Sequence, residues 1–212
     1  YEAALAQTQA LPNVYELQAH ACLGLGELLQ YDAPQEALNW LRQGLVATQE
    51  NRSAEATALH IRIGQLLAYL GHHDQALVEL EQGLEHLPSG TSRLHITAFG
   101  ILGNIYCIRG DTERGLAYYQ AVLKTAQKLN DYWAMVEVWL NLGIELDIAG
   151  HWTEAMAQFR QALEQAERLG SLRQLARALL SIGTTSIKRG DCESAESDLS
   201  KCISIARSRN WK

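Results

Sequence analysis

The chain repeats itself at a spacing regular enough to decide its fold class before any single residue is weighed. Five segments align: CLGLGELLQYDAPQEALNWLRQGL, HIRIGQLLAYLGHHDQALVELEQGL, FGILGNIYCIRGDTERGLAYYQAVL, WLNLGIELDIAGHWTEAMAQFRQAL and LLSIGTTSIKRGDCESAESDLSKCI. Their shared glycine falls at Gly26, Gly64, Gly103, Gly143 and Gly183, in steps of 38, 39, 40 and 40 residues. A period in this range accommodates a helix pair with its turns, and it marks repeat architectures whose units bury their apolar faces only against one another.

Each column of the alignment has a physical reason. An aliphatic residue precedes every shared glycine (Leu25, Ile63, Leu102, Leu142, Ile182), as a buried helical position requires. Glycine inside a helix costs about 1 kcal/mol relative to alanine, so it is expected where another helix must come close. A second glycine follows seven residues later (Gly71, Gly110, Gly150, Gly190) and is placed to end the first helix in the left-handed conformation. The short polar residues beyond it, Asp111, Thr153 and Asp191, are expected to cap the next helix. Twelve residues after the first glycine the side chain is small (Ala76, Gly115, Ala155, Ala195), and four further on it is large and apolar (Leu80, Tyr119, Phe159, Leu199). Small opposite large is how antiparallel helices interlock. The first repeat has a turn one residue shorter, with Pro34 opening its second helix and Leu41 in the large column.

The predicted architecture is all-α: a right-handed superhelix, or α-solenoid, of antiparallel helix pairs forming a single domain, with repeats over about 14–51, 52–90, 91–130, 131–170 and 171–212. Tyr1 aligns with Phe159, so residues 1–12 are expected to be part of an earlier repeat. With no initial methionine, the chain is expected to be a piece of a larger protein.

The period also disposes of several motifs. Arg109-Gly110-Asp111 and Arg189-Gly190-Asp191 are eighty residues apart, two periods, and both occupy the turn between paired helices. They read as helix stop and helix cap, not as an adhesion tripeptide. His72-His73 fills the same turn and reads as solvated rather than metal-binding, while Gly24-Leu25-Gly26 has no preceding strand and reads as helix interior rather than a dinucleotide loop. The formal net charge of −6 argues against general nucleic-acid affinity, although residues 171–212 hold 8 Lys+Arg against 4 Asp+Glu and could meet an acidic partner. Four cysteines without CxxC spacing suggest reduced thiols of a cytoplasmic protein, with no metal and no cofactor expected. No apolar run approaches the ~20 residues of a membrane span.

At these columns the sequence resembles the tetratricopeptide repeat family over nearly its whole length. The aliphatic-glycine pair, Phe99 and Trp139 four before the glycine, the small residue twelve after, the aromatic sixteen after, and Pro88 where that family often ends its second helix carry the resemblance. The period is longer than the family's common one, and it is similar to the arrays of bacterial signal-transduction ATPases of the LuxR-regulator type, of polarity adaptors and of kinesin light chains. The resemblance implies a non-catalytic, cytoplasmic module of a larger regulatory protein. Its groove of first helices would bind a protein or peptide segment, without direct contact to nucleic acid or membrane. Two alternatives stand beside this: an inducer-sensing arm of a multidomain ATP-dependent transcription activator, taking a small-molecule inducer, and a scaffold or oligomerisation module.

Counting from each helix glycine gives the residues expected to line that groove, among them Gln65, Tyr69, Asn104, Glu137, Arg177 and Lys188, and Arg62 and Asn141 are expected to bind the ligand with them. Together they make a mixed apolar and polar wall suited to an extended segment or an amphipathic helix. Family members that capture acidic C-terminal tails use two asparagines and a set of cations. Asn104 and Asn141 match the asparagines and Arg177 one cation, but Gly100 and Ser181 stand at the other cationic positions, so that clamp is incomplete. The looser expectation is that Asn104 and Asn141 hydrogen-bond a ligand backbone while Arg177 and Lys188 attract its acidic end. No catalytic residue is expected: no nucleophile is placed by the pattern beside a histidine base.

Overall fold

A computed structural model describes residues 14–48, 54–87 and 92–209. Among them run ten helices: α1 (Val14–Leu29), α2 (Pro34–Ala47), α3 (Ala54–Tyr69), α4 (His73–Glu85), α5 (Arg93–Ile108), α6 (Thr112–Leu129), α7 (Tyr132–Ile148), α8 (Trp152–Arg168), α9 (Leu172–Lys188) and α10 (Cys192–Ser208). No strand occurs among the described residues. Helices pair as hairpins, α1 with α2, α3 with α4, α7 with α8 and α9 with α10, and second helices also pack on the next first helix, α2 on α3, α6 on α7 and α8 on α9. The all-α repeat implied by the glycine period is what the chain forms. The expected partial repeat over 1–12 and the helix stop at Pro88 lie outside the described residues. The chain divides into two compact units, 1–105 and 106–212, the division falling inside α5 after Ile105.

In the first unit Leu38, Leu41, Leu59, Ile61, Ile63, Leu67 and Leu80 are buried. A Cβ added at Gly26 would sit 2.5 Å from Leu41, and one at Gly64 would sit 2.7 Å from Leu80 Cγ and 3.2 Å from the Ala76 carbonyl oxygen. The shared glycine is therefore first of all a seat for the large apolar side chain of the paired helix, and only second a point of backbone approach. The second unit repeats this arrangement. Its core gathers Val136 and Leu140 of α7, Ala155, Met156, Phe159, Ala162 and Ala166 of α8, and Ala178 and Ile182 of α9. The Phe159 ring fills the space over Gly143, where an added Cβ would come within 2.4 Å of the ring. A ladder of alanines along α8 lets α7 and α9 approach it from both sides, the close packing that a run of bulkier residues would prevent.

The turn at Gly150 shows how each first helix stops. Gly150 takes φ 82°, and the next residue, His151, returns its N–H to the Leu146 carbonyl at 2.8 Å, closing a Schellman motif. Because this geometry puts the residue after the glycine at the N-cap, the cap position is set by the turn. Asp111 and Asp191 stand there and accept the N–H groups of Arg114 and Ser194 at 3.3 and 3.1 Å. Thr153 does not, contrary to expectation: His151 occupies the N-cap of α8 without a side-chain cap bond, and Thr153 lies inside the helix. The two Arg-Gly-Asp triplets are thus turn and cap.

Gly100 gives a contrast within α5. It is helical, and a Cβ there would meet nothing within 4 Å. Gly100→Ala is therefore expected to stabilise the protein by about 0.5–1 kcal/mol, by removing unfolded-state entropy and raising helix propensity at no steric cost. Denaturant unfolding checks this. A loss of stability would mean that the open space above Gly100 is filled in solution.

Candidate binding face

In the second unit α7 and α9 lie side by side, and polar groups tie them together one repeat apart. Arg177 Nη1 donates to Glu137 Oε2 at 2.5 Å, and Gln174 Nε2 donates to Glu137 Oε1 at 2.9 Å. Further along, Thr185 Oγ1 donates to Asp147 Oδ1 at 2.9 Å and Lys188 pairs with Asp147 Oδ2. Glu137 and Arg177 are each 41% exposed, so that pair contributes no more than about 1 kcal/mol. Its structural effect is on register, since it aligns equivalent positions of consecutive first helices. Between these two bridges α7 and α9 present Ile144, Ile148, Leu180 and Ile187 to solvent, with Ile148 72% and Ile187 52% exposed. At about 100° per residue these four fall in one angular sector of their helices.

The first unit has an analogous surface on α1 and α3. Arg62 Nη2 meets Glu27 at 2.8 Å, and Arg62 Nη1 donates to Gln65 Oε1 at 2.8 Å. Tyr31 and Tyr69, both exposed, meet edge to face with ring centroids 6.2 Å apart. Beneath this surface the nearly buried His60 bonds Glu79 of α4 at 2.8 Å through Nδ1. Of the expected residues, Arg62 is bonded to Gln65 and Tyr69 packs on Tyr31 in the first unit, while in the second Glu137 pairs with Arg177 and Lys188 pairs with Asp147. Asn104 stands exposed on α5 near the end of the first unit, and Asn141 is half-buried on α7 of the second.

Two cations expected to attract a ligand's acidic end, Arg177 and Lys188, are already engaged by Glu137 and Asp147. Glu27, Gln174 and Thr185 complete the polar bridges; counting from the helix glycines points to Glu27 but not to Gln174 or Thr185. A signal for one bridge was present: Glu137 and Arg177 occupy the same column of consecutive repeats with opposite charge. Cys107, on the same stretch of first helix in the second unit, is held protonated. Burial first, then the Glu145 charge, pushes its thiol up to about 11, and Tyr119 is its hydrogen-bonding neighbour. Among the described residues no group of three or more His, Cys, Asp or Glu could hold a metal ion, and no helix is long and apolar enough to cross a membrane.

Stacked hairpins whose first helices carry a solvent-facing apolar strip define a helical-repeat protein. Residues 94–168, from α5 through α8, match the model of the Tetratricopeptide repeat family. The fold is shared with solved structures at low identity. BtubC (BKLC) from P. vanneervenii matches with a TM-score of 0.84 and 20% identity, over 100% of this chain and 90% of that one. The apo form of the quorum sensor NprR from B. thuringiensis matches at 0.77 and 20%, over 97% and 60%. A Rap protein complexed with Competence and Sporulation Factor matches at 0.77 and 15%, over 90% and 54%. The chain thus spans little more than half the length of the last two. No curated protein matches the sequence significantly.

Proposed function

We propose that this chain is a non-catalytic binding module of a larger regulatory protein and holds a peptide segment of a partner on its first-helix faces. The observation that carries the reading is the exposed aliphatic strip Ile144, Ile148, Leu180 and Ile187, framed by the Glu137–Arg177 and Asp147–Lys188 bridges. Exposed apolar groups aligned on adjacent helices and rimmed by polar pairs fit an amphipathic helix or an extended segment with alternate apolar side chains. Because the framing charges are already paired, affinity comes from burying aliphatic surface. Arg177 and Lys188 then frame the strip with their partners rather than pulling in a bare carboxylate. Asn141 supplies an amide to the segment's backbone, and Asn104 with Arg62, Gln65 and Tyr69 does the same on the first unit. A Rap protein with this fold has been captured with Competence and Sporulation Factor, which supports a peptide or protein ligand here.

Selection of peptides from a display library on the whole chain tests this, followed by calorimetry on the best binder. Ile187→Asp is expected to weaken binding at least ~10-fold, since an unpaired carboxylate replaces about a buried aliphatic side chain's worth of contact. Ile203→Asp, at an exposed position on α10, is expected to leave affinity unchanged. Equal loss in both variants, or none in either, would contradict the assignment.

A further inference from the structure

On the side of α9 turned away from the proposed peptide face lies a cleft of about 340 Å³. Ile182, Ser186 and Arg189 fall roughly 180° around the helix from Leu180, Thr184 and Ile187, at about 100° per residue. The cleft is walled by Met156, Arg160 and Leu163 of α8 and by Ser194 and Asp198 of α10, with Asp191 at the turn. Its volume is that of a small-molecule site rather than of a peptide groove.

The polar groups in it are unevenly committed. The two carboxylates are engaged: Asp191 accepts the Ser194 N–H at 3.1 Å as the cap of α10, and Asp198 receives Lys201 Nζ at 3.3 Å. The cap bonds to Ser194, with help from Arg189, hold the Asp191 carboxyl below its ordinary range. Arg160, by contrast, makes no ion pair among the described residues, and Arg189 touches the site only through that weak attraction to Asp191. Ser186, 2% exposed, lies in the lining of this cleft. Two guanidinium groups are the side chains best suited to an oxyanion, and Met156, Leu163 and Ile182 supply an apolar floor beside them.

We propose that this cleft is a second binding site, separate from the peptide face, for a small organic oxyanion: a phosphate or carboxylate head on a short carbon body. Arg160 and Arg189 take the head, the Ser186 hydroxyl donates to it, and Met156, Leu163 and Ile182 cover the body. The site uses the second Arg-Gly-Asp turn, in which Gly190 at φ 83° carries Arg189 to one side and Asp191 to the helix cap. It stands whether or not a peptide binds α7 and α9.

Titration of the whole chain with glycerol 3-phosphate, succinate and inorganic phosphate, followed by calorimetry and by amide shifts in α9 and α10, tests it. One or both organic anions should bind saturably below about 10 mM, more tightly than inorganic phosphate. Arg160→Gln and Ser186→Ala should each weaken that binding several-fold or more, while Ile187→Asp leaves it within twofold. Arg160 is exposed, so its replacement leaves the fold intact and circular dichroism can confirm this. The proposal is overturned by the absence of saturable binding to either organic anion or by binding unchanged in both cleft variants. Inorganic phosphate binding as tightly as the organic anions would overturn it too, since nothing would then rest on the apolar floor.

Discussion

Phe159→Ala is expected to destabilise the protein by about 3–5 kcal/mol, the largest effect of any single truncation considered for the second unit. The ring is 1% exposed, sits at the centre of the cluster that joins α7, α8 and α9, and lies directly over Gly143. Its removal leaves a cavity that the surrounding alanines cannot fill, because Ala155, Ala162 and Ala166 have no side chain to move into it. Leu140, Val136 and Ile182 would have to shift with their helices to close it. Chemical denaturation followed by circular dichroism measures the loss. A cost below about 1.5 kcal/mol would mean that the helices collapse onto the gap and that the interlock is loose.

The second expectation reverses sign with its background. In the natural sequence Gly143→Ala places a methyl 2.4–2.9 Å from three atoms of the Phe159 ring, so it is expected to cost about 1–3 kcal/mol despite alanine's better helix propensity. In the Phe159→Ala background the ring is gone, and the same substitution should gain up to ~1 kcal/mol from propensity alone. The two results together give a coupling of about 2–3 kcal/mol, at the upper end for residues in contact. A coupling near zero would mean that Gly143 is present for some reason other than seating the ring. The same logic extends to Gly64 with Leu80 and Gly183 with Leu199, whose contacts repeat the geometry.

Much of this molecule is legible in its sequence because each repeat is an independent reading of the same physics. Gly143 and Phe159 could be matched because the same sixteen-residue offset recurs at Gly64 and Leu80, and the turn glycines could be placed because each is itself the left-handed stop of one geometry. Thr153 misled because its chemistry suits a cap while the turn fixes the cap two residues earlier, at a histidine that makes no side-chain bond. The state of the candidate binding residues was less accessible. Arg177 and Lys188 read as free cations when each repeat is taken alone. Their partners, Glu137 and Asp147, lie 40 and 41 residues away and are found only when the neighbouring first helix is set beside them in register. The cleft between α8 and α10 escaped for a similar reason. Arg160, Ser186 and Ser194 come from three helices, and nothing in the period of any one of them brings the set together.

Hydrogen exchange on the whole chain, with and without a selected peptide at saturating concentration, tests the central claim most directly, because it locates the ligand without assuming which residues hold it. The account predicts slowed exchange concentrated in the first helices α7 and α9, around Ile144, Ile148, Leu180 and Ile187, with α8 and α10 little changed. Protection concentrated in α8 and α10 instead, with the aliphatic strip exchanging as in the free protein, would contradict it.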